Sequence, residues 1–423
     1  MPSRAVACWG IPVMSAPSNQ IRPEVGTVSP EIRRKKVVLP APLGPMIDRS
    51  SPRRTLTSTS DTASRLPYAR VRRSVRSRTA SGIAGECTGG FAVSRHRGVL
   101  SFRADMARHA VPTRWKSGMI EIGARVFAYV QGAGIDPSGD TGVANAGLIV
   151  GPETAVAVDA LMVPSMTKRL VAAIKKTTRR PIAQLINTHH HLDHTGGNRF
   201  FRGATIVASE KCREALAPGF PPLPLLQRFM PRFAAEFAKL EVVLPTVTFD
   251  DRMVLHDGDR EIQLWHPGFA AHTVGDAVAY LPKERILFAG DIAFHYVTPL
   301  AFQGHVGNWI KAADRLLRYE ADVIVPGHGP IGTRTDLKHM REYLALVRRE
   351  AKRRFDAGMP AEAAAGDIKL GVYASWSDAE RILPNVMRCY QEFRDELDQP
   401  MDLPRMLAGM ERLRGKGAAH ACV

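Results

Sequence analysis

Cysteine is scarce in this sequence of 423 residues, and its few copies follow no pattern. There is no CxxC spacing and no paired arrangement, which argues against a disulfide-stapled scaffold and against a cysteine-rich zinc module. A reducing compartment, and therefore a cytoplasmic location, is expected. The cysteines are Cys8, Cys87, Cys212, Cys389 and Cys422.

Long apolar runs are also lacking. No stretch reaches the roughly 18 consecutive apolar residues that a membrane-spanning helix requires, so the sequence predicts no membrane span. Apolar residues nevertheless make up 45% of the chain and charged residues 23%. This composition is ordinary for a globular protein and allows a large core.

Acidic residues are few in residues 1–118, which carry 21 Lys and Arg but only 6 Asp and Glu. Most of the net charge of +17 belongs to this segment, because residues 119–423 carry 37 basic and 35 acidic side chains. The segment is rich in Arg, Ser, Thr and Pro and has no sustained periodicity. Such a composition buries too little apolar surface to offset the entropy of ordering, so it predicts disorder.

Four interpretations of this basic segment stay open. The first three interpretations are a targeting peptide, a twin-arginine signal at Arg33 and Arg34, and an arm that binds nucleic acid or a membrane surface. The fourth interpretation, which we favour, is that it precedes the natural protein, with initiation at Met106 or Met119. Patterned sequence begins abruptly at residue 119.

From residue 119 onward, short β-branched runs alternate with helical patterns. Together they predict an α+β layered domain over 119–332 and a helical extension over 333–423 packed on the same domain. The helices of this extension at 333–357 and 384–397 are expected to cover a pocket mouth or to form a homodimer surface. Strands are predicted at 182–186, 204–208, 261–265, 277–281, 285–289 and 322–326, and helices at 163–176, 209–216, 223–239, 307–318, 333–357 and 384–397.

A histidine-dense segment follows one of the predicted buried strands. It has the pattern H-x-H-x-D-H, formed by His189, His191, Asp193 and His194. Imidazole and carboxylate are ligands that borderline divalent cations such as Zn²⁺ accept. Because side chains two residues apart in an extended loop face the same way, His189 and His191 can converge on one ion. His190, which lies between them, is expected to point away.

Three later segments each place one ligand-type side chain at the end of an apolar run, beside glycine. Their side chains are His272 in GFAAHTVGD, Asp291 in ILFAGD and His328 in VPGHGP. Loops on a rigid sheet commonly carry functional groups at such positions. His266, six residues before His272, is expected to be structural.

In this order, the motifs resemble those of the metallo-β-lactamase-fold hydrolase superfamily over about residues 119–330. The resemblance implies a four-layer αβ/βα sandwich with two divalent metal ions, Zn²⁺ foremost and Fe or Mn as alternatives. It also implies that Asp159, at the end of TAVAVDA, braces the metal loop. The implied ligands are His189, His191 and His272 for one ion, Asp193, His194 and His328 for the other, and Asp291 between the two.

The resemblance further implies hydrolysis by a hydroxide that bridges the two ions. Asp193 and Asp291 are the implied catalytic residues, with Asp193 orienting the water or passing a proton. The ligand set resembles that of glyoxalase II and the lactonases, so the expected substrate is a small ester, thioester, lactone or amide. His295 and Tyr296 are expected to border the pocket and contact this substrate.

Two alternatives to this function stay open. One is β-lactamase-type amide hydrolysis. The other is a nucleic-acid-associated metal protein that the basic segment recruits to RNA or DNA. Nucleic acid is not the expected partner, however, because only 37 residues separate Asp291 from His328. That spacing leaves no room for the insertion typical of nucleic-acid-processing relatives.

Overall fold

The computed structural model describes residues 111–132 and 143–415, except for the side chain of Phe229. All of these residues fall in one compact unit. The interpretations of residues 1–110 lie outside the described part of the chain. Residues 111–118 lead into the first strand.

The first sheet joins, within the described residues, seven strands in sequence order. Adjacent strands among the first four run antiparallel to each other, and the fourth to the seventh run parallel to each other. The strands are β1 (Gly118–Gly123), β2 (Val126–Val130), β3 (Ala146–Val150), β4 (Ala155–Val158), β5 (Ile182–Ile186), β6 (Thr205–Ser209) and β7 (Val247–Phe249).

The second sheet has the strand order β12-β11-β10-β9-β8. It is antiparallel except for the parallel pair of β11 and β12. The strands are β8 (Arg252–Asp257), β9 (Arg260–Trp265), β10 (Val278–Leu281), β11 (Ile286–Phe294) and β12 (Val323–His328).

Helices connect and follow these strands. They are α1 (Pro164–Thr177), α2 (Leu192–Thr195), α3 (Glu210–Leu216), α4 (Leu223–Phe229), α5 (Ala234–Phe237), α6 (Val306–Leu316), α7 (Arg334–Asp356), α8 (Ala361–Asp367), α9 (Ile382–Arg394) and α10 (Leu403–Gly415). No helix in the described part of the chain is both long and apolar enough to cross a membrane.

Three apolar clusters separate four layers. In β3, Leu148 points into a cluster shared with Leu170 of α1, while the next residue, Ile149, points the other way. Ile149 lies in the cluster between the sheets, together with Phe288 of β11. The third cluster packs the far face of the second sheet against α6, α7 and α9, with Trp309 fully buried. Alternation along the strands therefore builds the predicted α+β sandwich, which is confirmed.

Two predicted helices differ from those observed. The helix expected at 223–239 is interrupted, because Pro231 lacks an N–H and α4 ends at Phe229 before it. The helix expected at 384–397 begins at Ile382, so that Pro384 sits in its first turn, where a missing N–H costs little. Helix α10 lies within the predicted helical extension, but no bounds were predicted for it.

Candidate metal centre

The candidate site lies where strands of both sheets end. Strand β5 is followed by the loop that carries His189 and His191, and α2 carries the next two residues of the motif. From the second sheet, β11 contributes Asp291 and β12 ends at His328. His272 lies between β9 and β10. Segments far apart along the chain therefore meet at one edge of the sandwich.

The structure brings all seven predicted ligands into two adjoining groups. Within each group, one ligand atom of every member lies within 4.8 Å of the others. One group is His189, His191, His272 and Asp291, and the other is Asp193, His194 and His328.

Asp291 lies between the two groups. Its Oδ2 is 3.2 Å from Nε2 of His272 in one group and 3.3 Å from Nε2 of His328 in the other. Its Oδ1 is 3.1 Å from Nε2 of His194. This carboxylate approaches so closely because β12 has a glycine opposite it: a Cβ on Gly327 would lie 1.8 Å from Oδ1. A single carboxylate thus reaches imidazoles of both groups.

The donor set fits divalent cations. Nε2 of His189 and Nε2 of His194 are buried and make no hydrogen bond. Nε2 of His272 faces Nδ1 of His191 at 2.9 Å. Buried polar atoms without partners are costly, and a cation bound between them would satisfy them. Histidine nitrogens and carboxylate oxygens in this ratio suit Zn²⁺, Fe or Mn.

The electrostatics of the two groups differ. Burial lowers the pKa of His189 and of His272 well below the ordinary value, so both imidazoles are neutral. At His328 burial acts in the same direction, but the carboxylates of Asp291 and Asp193 outweigh it and raise the pKa to about 9. A bound cation must displace that proton before this imidazole can act as a ligand.

Asp159 holds the metal loop, as the resemblance implied. Its Oδ1 accepts a hydrogen bond from the backbone N of Thr188 at 2.8 Å, and its Oδ2 accepts one from Oγ1 of the same residue. Oδ2 also lies 2.8 Å from Nδ1 of His194. A carboxylate on the far ring nitrogen fixes the orientation of a ligating histidine.

The comparisons with known proteins agree with this arrangement. The model of the metallo-beta-lactamase superfamily matches residues 139–328, the stretch that contains every residue of both groups. Residues 139–328 form a domain of the metallo-β-lactamase superfamily. This confirms the predicted family and the hydrolase class expected with it.

Several curated relatives of this superfamily member are similar over part of their length. The alpha subunit of 2,4-dinitroanisole O-demethylase from a Nocardioides species is 29% identical over 60% of this chain and 68% of its own. A linear primary-alkylsulfatase from a Pseudomonas species is 22% identical over 53% of this chain and 49% of its own. A hydroxyacylglutathione hydrolase from Rhodospirillum rubrum is 26% identical over 39% and 55%.

Among solved structures, a sec-alkylsulfatase from a Pseudomonas species has a similar fold. It superposes with a TM-score of 0.50 at 18% identity, over 66% of this chain and 50% of that one. The superfamily member described here thus spans about half the length of either alkylsulfatase.

A backbone clamp near His328 was missed by sequence reasoning. The Asn145 side chain donates hydrogen bonds to the carbonyls of Pro326 at 3.0 Å and Gly329 at 2.8 Å, and its backbone N donates to Gly327. Asn145 is buried and lies about 180 residues away along the chain from the loop it holds. A lone asparagine before a strand carries no sequence signal for such a contact.

His295 and Tyr296 do not line the cavity beside the metal centre of this superfamily member, contrary to the expected substrate contact. Both are buried on the side of helix α7. Nδ1 of His295 lies 3.1 Å from the Pro330 carbonyl, and Tyr296 donates a hydrogen bond to Asp336. Tyr296 has a φ of 60°, in the left-handed region, so the chain changes direction at this residue. Their geometry supports a structural role.

The two other histidines near the motifs behave as expected. His190 is half-buried and belongs to neither ligand group, but it lines the cavity beside them. His266 bonds locally, with Nε2 3.0 Å from the Val274 carbonyl and Nδ1 accepting from the backbone N of Gly268. His266 therefore shapes the loop before His272.

A cavity of about 520 Å³ opens beside the metal centre. Its described lining includes His191, Asp193, Asp291 and His328. Helices α7 and α9 contribute nothing to this described lining, although the helices at 333–357 and 384–397 were expected to cover the pocket mouth. The wall comes instead from residues 215–233 and from helix α10, neither of which sequence reasoning linked to the site.

Proposed function

We propose that the chain binds two divalent cations, Zn²⁺ foremost, and hydrolyses a small-molecule ester, thioester, lactone or amide. The observation that carries the proposal is the pair of ligand groups that meet at Asp291. Cations held by these residues would supply Lewis acidity and would lower the pKa of a bound water molecule.

The residues of the chain supply orientation and proton transfer. Asp291 is buried and reaches both groups, so it sets their separation. Asp193 is 27% exposed at its side chain and lines the cavity, which places a carboxylate beside an incoming substrate. In the overall reaction the water oxygen bonds to the acyl carbon, and the bond to the leaving oxygen, sulfur or nitrogen breaks. Asp193 carries one water proton to that leaving group.

The test combines metal analysis with a substrate panel on the purified full-length protein. We expect close to two ions per chain, and loss of at least one ion and most hydrolysis in His328→Ala. His190→Ala should keep both ions, as should His256→Ala, a matched change on the exposed face of β8. The panel contains esters, thioesters, lactones, β-lactams, phosphodiesters and alkyl sulfates. Full turnover in His328→Ala, or no turnover of any compound by the metal-loaded protein, would overturn the proposal.

A further inference from the structure

The cavity beside the metal centre has a wall that the proposed reaction does not explain. Its volume of about 520 Å³ falls in the range of pockets that enclose drug-sized ligands, which exceeds what an acetyl group occupies. The cavity is continuous with the metal centre, because Asp193, Asp291 and His328 form part of the same lining. Whatever fills it is therefore attached to the group that reacts.

Most of this wall is apolar. One side comes from the segment around helix α4, including Phe220, Leu226 and Met230. Helix α10 also contributes, and its Met406 and Met410 belong to the apolar core and are only 5% and 4% exposed. Methionine is flexible and polarisable, so such a wall adapts to hydrocarbon chains of different lengths.

Polar groups also line the cavity, and they contact other groups of the chain. Among them is Gln303, whose Oε1 is 2.9 Å from Nε2 of the ligand residue His191. The guanidinium of Arg232 lies over the Phe233 ring, 4.6 Å from its centroid. Asp378 and Arg381 also line the cavity, but Nη2 of Arg381 lies 2.9 Å from Oδ2 of Asp378. Because these opposite charges compensate each other, they do not select a charged ligand along the apolar wall.

We propose that this cavity holds a linear hydrocarbon chain of the substrate, whose scissile group sits at the metal centre. The inference deepens the proposed function and rests on it. A chain of this kind comes either from the acyl part of an ester or thioester or from an alkyl sulfate. Each methylene that moves from water to the apolar wall lowers the free energy of binding. This free energy corresponds to a factor of up to about four in affinity per methylene.

The kinetic test is a chain-length series of linear acyl thioesters from two to twelve carbons, with decyl sulfate as a separate arm. We expect kcat/KM to rise by about two- to fourfold per methylene until the cavity is full. In Met406→Trp the ratio of decanoyl to acetyl kcat/KM should fall at least tenfold. Val254→Trp places the same bulk on the exposed face of β8 and should keep the wild-type ratio.

The binding test does not depend on turnover. Calorimetry compares decanoate with butanoate, which share one carboxylate, on the full-length protein as purified. We expect decanoate to bind at least about 60-fold more tightly, from twofold for each of six methylenes, and Met406→Trp to remove most of that difference. Chain-length-dependent binding without any hydrolysis would support the chain site and overturn the proposed function. Hydrolysis or binding that is independent of chain length would overturn the chain site and leave the hydrolase intact.

Discussion

At the scale of single residues, Asp159 occupies a costly backbone conformation that its contacts explain. Its φ is 58°, in the left-handed region that is unfavourable for most side chains. Asparagine tolerates this region, so Asp159→Asn removes one acceptor without adding strain. Because Oδ2 orients His194, we expect metal affinity to fall by about 10- to 100-fold. Competition with a chromophoric chelator measures it.

The control for this change is Asp259→Asn, which alters an exposed partner of Lys283 far from the ligand groups. It should bind metal like the wild type. Unchanged affinity in Asp159→Asn would mean that Thr188 and the loop backbone orient His194 without the carboxylate.

Asn145 offers a second test at this scale. Asn145→Ala leaves the carbonyls of Pro326 and Gly329 without their buried donor. Since an unpaired buried acceptor keeps its full desolvation penalty, unfolding in urea should require about 1–3 kcal/mol less free energy. The loop that carries His328 should also hold its metal ion less tightly.

Asn308→Ala provides the comparison, because it removes an exposed hydrogen bond that the Asn308 side chain accepts from Lys311. We expect that change to cost little. Equal stability of the two variants would show that the backbone bond from Asn145 to Gly327 is sufficient to hold the loop.

At the scale of elements, Glu392 of helix α9 ties two neighbouring helices together. It accepts hydrogen bonds from the backbone N of Gly307 at 3.1 Å and from Nε of Arg348 at 2.7 Å. Burial opposes ionisation, but contacts with His305, Gly307 and Arg348 outweigh it and lower the pKa of Glu392 to about 2. The ionised side chain therefore stabilises the contact of α6, α7 and α9.

Glu392→Gln should lower the free energy of unfolding by about 2 kcal/mol at pH 7. The lowered pKa means that the wild-type advantage is complete above the unfolded value of 4.5 and is lost as the pH falls towards 2. Urea titrations at pH 7, 5, 4 and 3 should show the two proteins converging at acid pH. Glu320→Gln, at an exposed pair with Arg285, should have little effect at any pH. A constant gap for Glu392→Gln would contradict this assignment.

Elements with a strong local signal were predictable from the sequence, and irregular ones were not. The apolar run of β5 and the loop after it needed no tertiary information. Strand β11 was expected to end at residue 289 but continues to Phe294, because Gly290, with a φ of 49°, lets the strand bend and keep pairing. Helix α10 contains Gly409, which packs directly on Leu383. Only that tertiary contact makes a glycine favourable there.

At the scale of the whole molecule, the ligand residues could be predicted from the order of their motifs, whereas the cavity could not. His189, Asp291 and His328 each follow an apolar run, and this pattern is visible in the sequence alone. The apolar wall is assembled from residues 215–233 and α10, which touch the site only after both sheets are packed. Their sequences look like ordinary core segments. The specificity of the site is therefore a property of the fold.

The metal centre also joins the two sheets. His189 and His194 follow β5 of the first sheet, whereas Asp291 and His328 belong to β11 and β12 of the second. Cations that bind only the folded state stabilise it by about 4 kcal/mol when free metal is 1,000-fold above the dissociation constant. For a domain of this size, removal of the metal with a chelator should lower Tm by about 10 °C. Thermal melts of the full-length protein, with and without chelator, measure the shift.

The shift should depend on the carboxylate that both groups share. Asp291→Ala removes a ligand atom that reaches His272 on one side and His328 on the other, so chelator should change its Tm much less. His190→Ala, which removes an imidazole outside both groups, should respond like the wild type. If chelator shifts Asp291→Ala as much as the wild type, the stabilising cation binds elsewhere in the chain. Identical melts of metal-loaded and metal-free wild type would instead mean that packing between the sheets holds the sandwich together without the metal centre.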